Sequence, residues 1–275
     1  MIMNAPELKQ HATEIRKGIL TGVHAAKSGH PGGSLGCADI LTVLYFDEMD
    51  IDPADPQRLD RCRFVLSKGH CAPALYATLA ERGYFPKSDL ATLRKPGSRL
   101  QGHPNMNDTP GVDMSSGSLG QGISAAAGMA LSSKIFGPEF RVYALLGDGE
   151  CEEGEVWEAA MLAGNKNLDN LCVIVDHNGL QIDGTIEEVN SAMDLAEKFR
   201  AFKFNVIECD GHNFCSIKAA LALARATKGS PTCIVAHTVK GKGVSFMENR
   251  VGWHGTAPND EQFASAMTEL EGSVG

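Results

Sequence analysis

The chain reads as an α/β protein, with a mostly parallel sheet covered by helices on both faces and folded as one domain over residues 1–275. Two observations carry that reading. Short apolar runs alternate with segments of helical period, which is the order that parallel strands and their crossover helices require. No internal repeat, low-complexity tract or linker divides the sequence, so one domain is the simpler organisation.

The first element is a helix from Ala5 to about Lys27, with Leu8, Ile15, Ile19 and Leu20 near helical spacing. It ends in Ser28-Gly29-His30-Pro31-Gly32-Gly33, a concentration of chain breakers. Ala38 to Phe46 is helical and precedes an Asp- and Pro-rich loop at Asp50–Pro56. Phe64-Val65-Leu66-Ser67 forms the first strand, followed by Lys68-Gly69-His70 and a helical stretch through Leu79. Arg94–Gly111 is a long loop holding Gly102-His103-Pro104. A glycine-rich segment, Ser116 to Gly122, opens the helix Ile123–Ile135, whose small residues suit close packing on a sheet or helix. Strand, turn, helix and strand follow at Val142–Leu146, Gly147-Asp148-Gly149, Val156–Ala163 and Leu171–Val175. The alternation recurs at Val206–Cys209, Ser216–Ala226 and Cys233–Ala236, and an amphipathic tail carries Phe263, Met267 and Leu270.

Composition excludes several roles. A net charge of −9 leaves no electrostatic footprint for nucleic acid. No apolar run is long enough to cross a bilayer, so no membrane partner is expected. The start, Met1-Ile2-Met3-Asn4, lacks the basic and apolar blocks of a signal peptide. Eight cysteines show no C-x-x-C spacing, which argues against structural zinc and for a reducing cytoplasm.

Chemistry concentrates where strands end. Asp148 and Asn178 follow two apolar runs, and ligands of parallel sheets gather beyond the carboxyl ends of strands. Mg²⁺ bound to a diphosphate takes oxygen ligands, which Asp148, Asn178 and a backbone carbonyl near Leu180 would supply. Gly147 and Gly149 let the backbone approach the phosphate. His30, His70, His103 and His254 each lie beside glycine in a loop at the sheet's ligand end. That placement suits rings presented to a ligand, and imidazole suits proton relay among sugar hydroxyls. His11, His24, His177 and His212 read as surface or satisfied core groups, and His237 as structural. Lys240 and Lys242, like Arg94, Lys95 and Arg99, read as solvated loop charges with a possible phosphate contact as the second reading.

Taken in order, Ser28-Gly29-His30-Pro31-Gly32-Gly33, Ser67-Lys68-Gly69-His70, Gly102-His103-Pro104, Gly117 to Gly122, Gly147-Asp148-Gly149 through Glu153-Gly154, Asn178 and Trp253-His254-Gly255 form one series. The series resembles the amino-terminal, diphosphate-binding domain of transketolase, a thiamine diphosphate enzyme, from about Lys9 to Pro258. The resemblance implies a thiamine diphosphate-binding fold. It implies that Asp148, Asn178 and the Leu180 carbonyl hold Mg²⁺, or another divalent cation such as Ca²⁺ or Mn²⁺. The Gly149 backbone, His70 and His254 would contact the diphosphate, with Gly117 and Leu119 against the pyrimidine side. His30, His103 and His254 would handle the donor's hydroxyls. Glu153, on the catalytic side, and Glu158, on the cofactor side, match acids at the subunit interface. Their own reading, as solvated charges at a helix start, stands beside that match.

One local departure is His177, where many thiamine enzymes carry a second asparagine. The larger departure is the activating glutamate of a pyrimidine-binding domain, which no segment matches. The expectation is therefore a separate carboxy-terminal subunit bearing that domain, in a heterotetramer. The reaction implied transfers a two-carbon ketol unit from a ketose phosphate to an aldose phosphate. Two alternatives remain: a subunit of a 2-oxo acid decarboxylating enzyme, and a noncatalytic thiamine diphosphate-binding protein. The Ser-Gly-His-Pro-Gly block and His103 argue against the first.

Overall fold

The computed structural model describes residues 3–272. Five strands form one sheet: β1 (Arg63–Leu66), β2 (Val142–Gly147), β3 (Leu171–His177), β4 (Asn205–Asp210) and β5 (Thr232–His237). Their order is β1-β2-β3-β5-β4, and every neighbouring pair is parallel. The helices are α1 (Ala5–Ala26), α2 (Pro31–Gly36), α3 (Ala38–Val43), α4 (Ala72–Arg82) and α5 (Gln121–Phe136) in the first half. The second half adds α6 (Gly154–Asn165), α7 (Ile186–Asn190), α8 (Leu195–Ala201), α9 (Phe214–Ala226) and α10 (Asp260–Gly272).

Alternate residues of the central strands serve two cores. Val142, Ala144 and Leu146 of β2 pack with Ile123 and Ala126 of α5, Val156 and Ala160 of α6, and Phe199 of α8. Tyr143 and Leu145 face a larger core with Ile15 and Ile19 of α1, Leu41 of α3, Leu75 of α4 and Leu221 of α9. Chain direction explains the division. The steps from β1 to β2, β3 and β4 run one way across the sheet, so right-handed crossovers put α5, α6 and α8 on one face. β5 returns between β3 and β4, and the same handedness sends α9 to the other face.

The caps fit the sequence. Asn4 accepts from Glu7 N while Glu7 answers to the Asn4 amide, a reciprocal pair that starts α1. The tail forms α10, with Leu270 and Ala266 buried and Phe263 stacked on His24 at 4.2 Å.

One expectation needs correcting. The chain does break after α1, between Lys27 and His30, but the glycine-rich segment from Pro31 to Gly36 is helix α2 rather than loop. Proline at the first helical position loses nothing, because that N–H has no partner within a helix. The glycines are there for proximity. A Cβ on Gly32 would lie 2.8 Å from the Trp253 carbonyl, and one on Gly33 2.9 Å from Cys71 Sγ. Helices α7 and α8 were not anticipated either; both are too short for a helical period to be read.

The small residues of α5 play the packing role expected of them. A Cβ on Gly122 would come within 2.5 Å of Ser67 Cα, whereas one on Gly128 meets no atom within 4 Å among the described residues. Gly122→Ala should therefore destabilise the chain by about 1–3 kcal/mol through overpacking. Gly128→Ala should stabilise it by about 0.5–1 kcal/mol through helix propensity. Urea midpoints of the two variants measure both.

Candidate active site

The carboxyl ends of β1, β2, β3 and β5 open into a cavity of about 450 Å³. Asp148 follows β2 directly and is almost fully buried. Its carboxylate accepts from Gly149 N at 2.9 Å and from Gly179 N at 2.6 Å, so the turns after β2 and β3 hold it between them. Gly179 has φ +75, with no atom near its absent Cβ among the described residues. Backbone conformation, not space, selects glycine there. Asn178 Oδ1 accepts from Leu180 N at 3.1 Å, which closes the same turn.

The electrostatics fit a cation. Burial, and then the charge of Asp176, push the Asp148 carboxyl above its usual range, while the Gly179 and Gly149 amides oppose the shift. A buried carboxylate in that condition lacks positive charge. Asp148, the Asn178 amide and the Leu180 carbonyl are hard oxygen donors, the set that Mg²⁺ or Ca²⁺ prefers. Lys240 Nζ donates to the Leu180 carbonyl at 3.1 Å and contacts His254 Nδ1 at 3.0 Å. An ammonium has only donors, so His254 accepts at Nδ1 and carries its proton on Nε2. Lys240 is 2 % exposed. Its reading as a solvated loop charge is therefore corrected: the loop folds back between Gly32 and Met247 and buries the amine, whose pKa burial lowers.

Three imidazoles meet above this floor. The rings of His30 and His70 lie 5.3 Å apart, His30 and His254 5.3 Å, and His70 and His254 5.1 Å. Burial, with His70 next, pushes His30 down to about 4. Burial, with Lys240 next, pushes His254 down to about 3. Both rings are neutral near pH 7, and His30 Nδ1 is a buried polar atom without a partner among the described residues. His103 occupies an adjoining groove with Arg94, Lys95 and Gln101, and its ring packs against Gly117. Burial and then Arg94 lower its pKa.

Gly117, Leu119, Gly149 and Glu153 line the main cavity with His30, His70, Asp148, Asn178, Leu180 and His254. Glu158 does not. A helix turns about 100° per residue, and the five steps from Glu153 carry Glu158 to an exposed hollow with Met161, Leu162 and Phe202.

Sequence reasoning missed three residues. Glu150 is buried, and its carboxylate accepts from the Ser67 hydroxyl, Gly120 N at 2.9 Å and Gly147 N at 3.0 Å. It thereby ties together the loops after β1, after β2 and before α5. Lys68 and Asp176 form a buried ion pair in the cavity floor. Burial works against the Lys68 charge, but Asp176 and neighbouring thiols outweigh it and keep the amine protonated. An acid inside a glycine turn, or a lysine after a strand, carries no pattern that marks it as buried. The single available signal was Asp176 closing an apolar run.

A parallel sheet whose strand ends gather a buried carboxylate, oxygen donors for a cation and neutral imidazoles defines a domain suited to a metal-bridged diphosphate. The family model described as "Transketolase, thiamine diphosphate binding domain" matches residues 8–272, and the chain belongs to that family. It is 45% identical over 265 residues to the 6-deoxy-6-sulfo-D-fructose transketolase subunit SqwG of Clostridium sp. (strain MSTE9), covering 96% of each chain. It is 41% identical to an apulose-4-phosphate transketolase subunit of Phocaeicola vulgatus, covering 98% of this chain and 95% of that one. The solved transketolase from Leishmania mexicana superposes with a TM-score of 0.91 at 35% identity, over 98% of this chain and 42% of the other. The chain thus spans less than half the length of that enzyme and corresponds to a transketolase subunit. Among the described residues, no helix is long and apolar enough to cross a membrane.

The buried neutral histidines set a pH dependence. Unfolded, each imidazole protonates near 6.5; folded, His30 resists until about 4 and His254 until about 3. Between those values the unfolded chain binds more protons, so stability rises with pH. The urea midpoint should fall as pH drops from 6.5 toward 4, and His30→Asn or His254→Asn should flatten that slope.

Proposed function

We propose that the chain binds thiamine diphosphate through Mg²⁺ and, with a second polypeptide, transfers a two-carbon ketol unit from a ketose phosphate to an aldose phosphate. The observation that carries this reading is the buried Asp148 carboxylate, short of positive charge and placed beside two further oxygen donors and three imidazoles. Asp148, Asn178 and the Leu180 carbonyl hold the cation, and the Gly149 backbone, Lys240 and the Nε2–H of His254 donate to the diphosphate. His70 joins them there. Gly117 and Leu119 lie along the pyrimidine side, and Glu153 stands at the rim where the partner subunit completes the site. Ca²⁺ or Mn²⁺ satisfies the same donor set.

Bound thiamine diphosphate supplies the electron sink for carbon–carbon cleavage. The protein's own residues bind the sugar and move protons. His30, neutral near pH 7, accepts a proton from a donor hydroxyl, and His103 holds the next one along the chain. The Arg94 and Lys95 charges beside His103 suit a terminal anion on the sugar. The relatives' names specify 6-deoxy-6-sulfo-D-fructose and apulose-4-phosphate, so the donor is a ketose with an anionic end. The partner is a carboxy-terminal subunit with the pyrimidine-binding domain, in a heterotetramer. Eight free cysteines, seven of them buried, fit a reducing cytoplasm.

Two measurements test this. Alone, the chain should show no ketol transfer, and the cognate second subunit should restore it across a panel of ketose phosphates and sulfonates; transfer by the chain alone, or activity restricted to 2-oxo acids, would refute it. In the reconstituted enzyme, Asp148→Ala should weaken thiamine diphosphate binding by at least about a hundredfold, since loss of a mere supporting residue costs 10–100-fold. His30→Ala and His103→Ala should instead lower kcat by about 10²–10⁴-fold with the cofactor affinity nearly unchanged.

A further inference from the structure

His177 and His237 end the neighbouring strands β3 and β5 and are register partners. Asp210 of β4 is the next member of that row. Side chains alternate across a sheet, so the row points away from the face served by Ala236 and shares the face of Val235. The two imidazoles bring their Nδ1 atoms to 3.3 Å of each other, with the rings inclined at 65°. The other nitrogen of His237, Nε2, lies 3.0 Å from the Glu208 carboxylate, which belongs to the same face two residues before Asp210.

Glu208 is an acceptor, so His237 carries its proton on Nε2 and offers a lone pair at Nδ1. Two nitrogens each about 2.0–2.1 Å from a tetrahedral zinc ion stand about 3.4 Å apart. The observed separation matches without rearrangement. A carboxylate on the far nitrogen of a ligating histidine is the support that fixes ring orientation and raises basicity in zinc sites. Both side chains reach solvent, His237 being 52 % exposed, so water can complete the coordination. Asp210 is held by the His212 amide at 2.8 Å, and no group of three metal-ligating side chains is gathered among the described residues.

We propose that His177 and His237, supported by Glu208, form a two-histidine site for a borderline transition-metal ion such as Zn²⁺ or Ni²⁺, distinct from the oxygen-donor site at Asp148. Imidazole nitrogen selects such ions, whereas carboxylate and carbonyl oxygens select Mg²⁺ or Ca²⁺. The ion clips β3 to β5 one residue before Asn178, and so stiffens the turn that carries Asn178, Gly179 and Leu180. The Thr238 N–H to His177 carbonyl bond at 3.1 Å already joins the same two strand ends.

The test titrates Zn²⁺ and Ni²⁺ into the full chain carrying Asp148→Asn, which disables the oxygen site, with a chromophoric chelator as competitor. One ion per chain should bind, with Co²⁺ giving the visible spectrum of nitrogen ligation. His177→Gln or His237→Gln should each weaken binding at least tenfold, and Glu208→Gln should weaken it 10–100-fold. Cys215→Ser, which removes the exposed thiol, should leave it unchanged. Affinity that is indifferent to both histidine substitutions, or no binding beyond that of a His177→Gln/His237→Gln double variant, overturns the site and leaves the pair as a hydrogen-bonded chain ending on Glu208. Circular dichroism and thermal melts of each variant without metal separate misfolding from loss of ligands.

Discussion

Asp148 and Asp176 lie next to each other at the ends of β2 and β3, joined by the Asp148 N–H to Asp176 carbonyl bond, and both are buried. The chain resolves their repulsion unequally. Asp176 receives the Lys68 ammonium and the Thr238 hydroxyl. Asp148 receives two backbone amides. One acid is therefore neutralised internally, and the other is left to attract charge from outside. Lys68 descends from the end of β1, Thr238 follows β5, and the amides come from the turns after β2 and β3. The arrangement exists because a parallel sheet aligns all these strand ends on one side, and every loop around the cavity is positioned with reference to it.

Lys240 links this floor to the imidazoles. Its ammonium touches the carbonyl of Leu180 and the ring of His254 at once, so the turn after β3 and the segment after β5 share a donor. The Leu180 carbonyl, the oxygen that would serve a cation, is thus already held by an ammonium. Glu150 performs the matching task on the opposite side, holding three glycine-rich or strand-end segments with one carboxylate.

Much of this was legible from the residues. Apolar runs marked all five strands, and the motifs singled out Asp148 and Asn178, which follow β2 and β3, together with His30, His70 and His254, which the fold brings to the same cavity, while His103 lies in an adjoining groove. What stayed hidden was burial of charge. Glu150, Lys68, Asp176 and Lys240 look like ordinary polar residues of turns, and only the three-dimensional meeting of distant loops shuts them away from water. Proximity was equally silent: the glycines of α2 read as breakers because sequence shows their backbone freedom and not the Trp253 carbonyl or Cys71 sulfur that stands where a Cβ would go. His177 and His237, sixty positions apart, could be matched only once the register of β3 and β5 was known.

The late insertion of β5 between β3 and β4 has a consequence for biosynthesis. Until Thr232–His237 leaves the ribosome, β4 has no hydrogen-bonded neighbour and β3 presents an open edge. A nascent chain can pair β1, β2 and β3 early, but the rest of the sheet must wait for its final strand. Non-local pairing of that kind slows folding and leaves strand edges exposed to aggregation meanwhile. The exposed edge belongs to the strand that leads into Asn178, so the turn of Asn178, Gly179 and Leu180 is among the last parts of the molecule to acquire its shape.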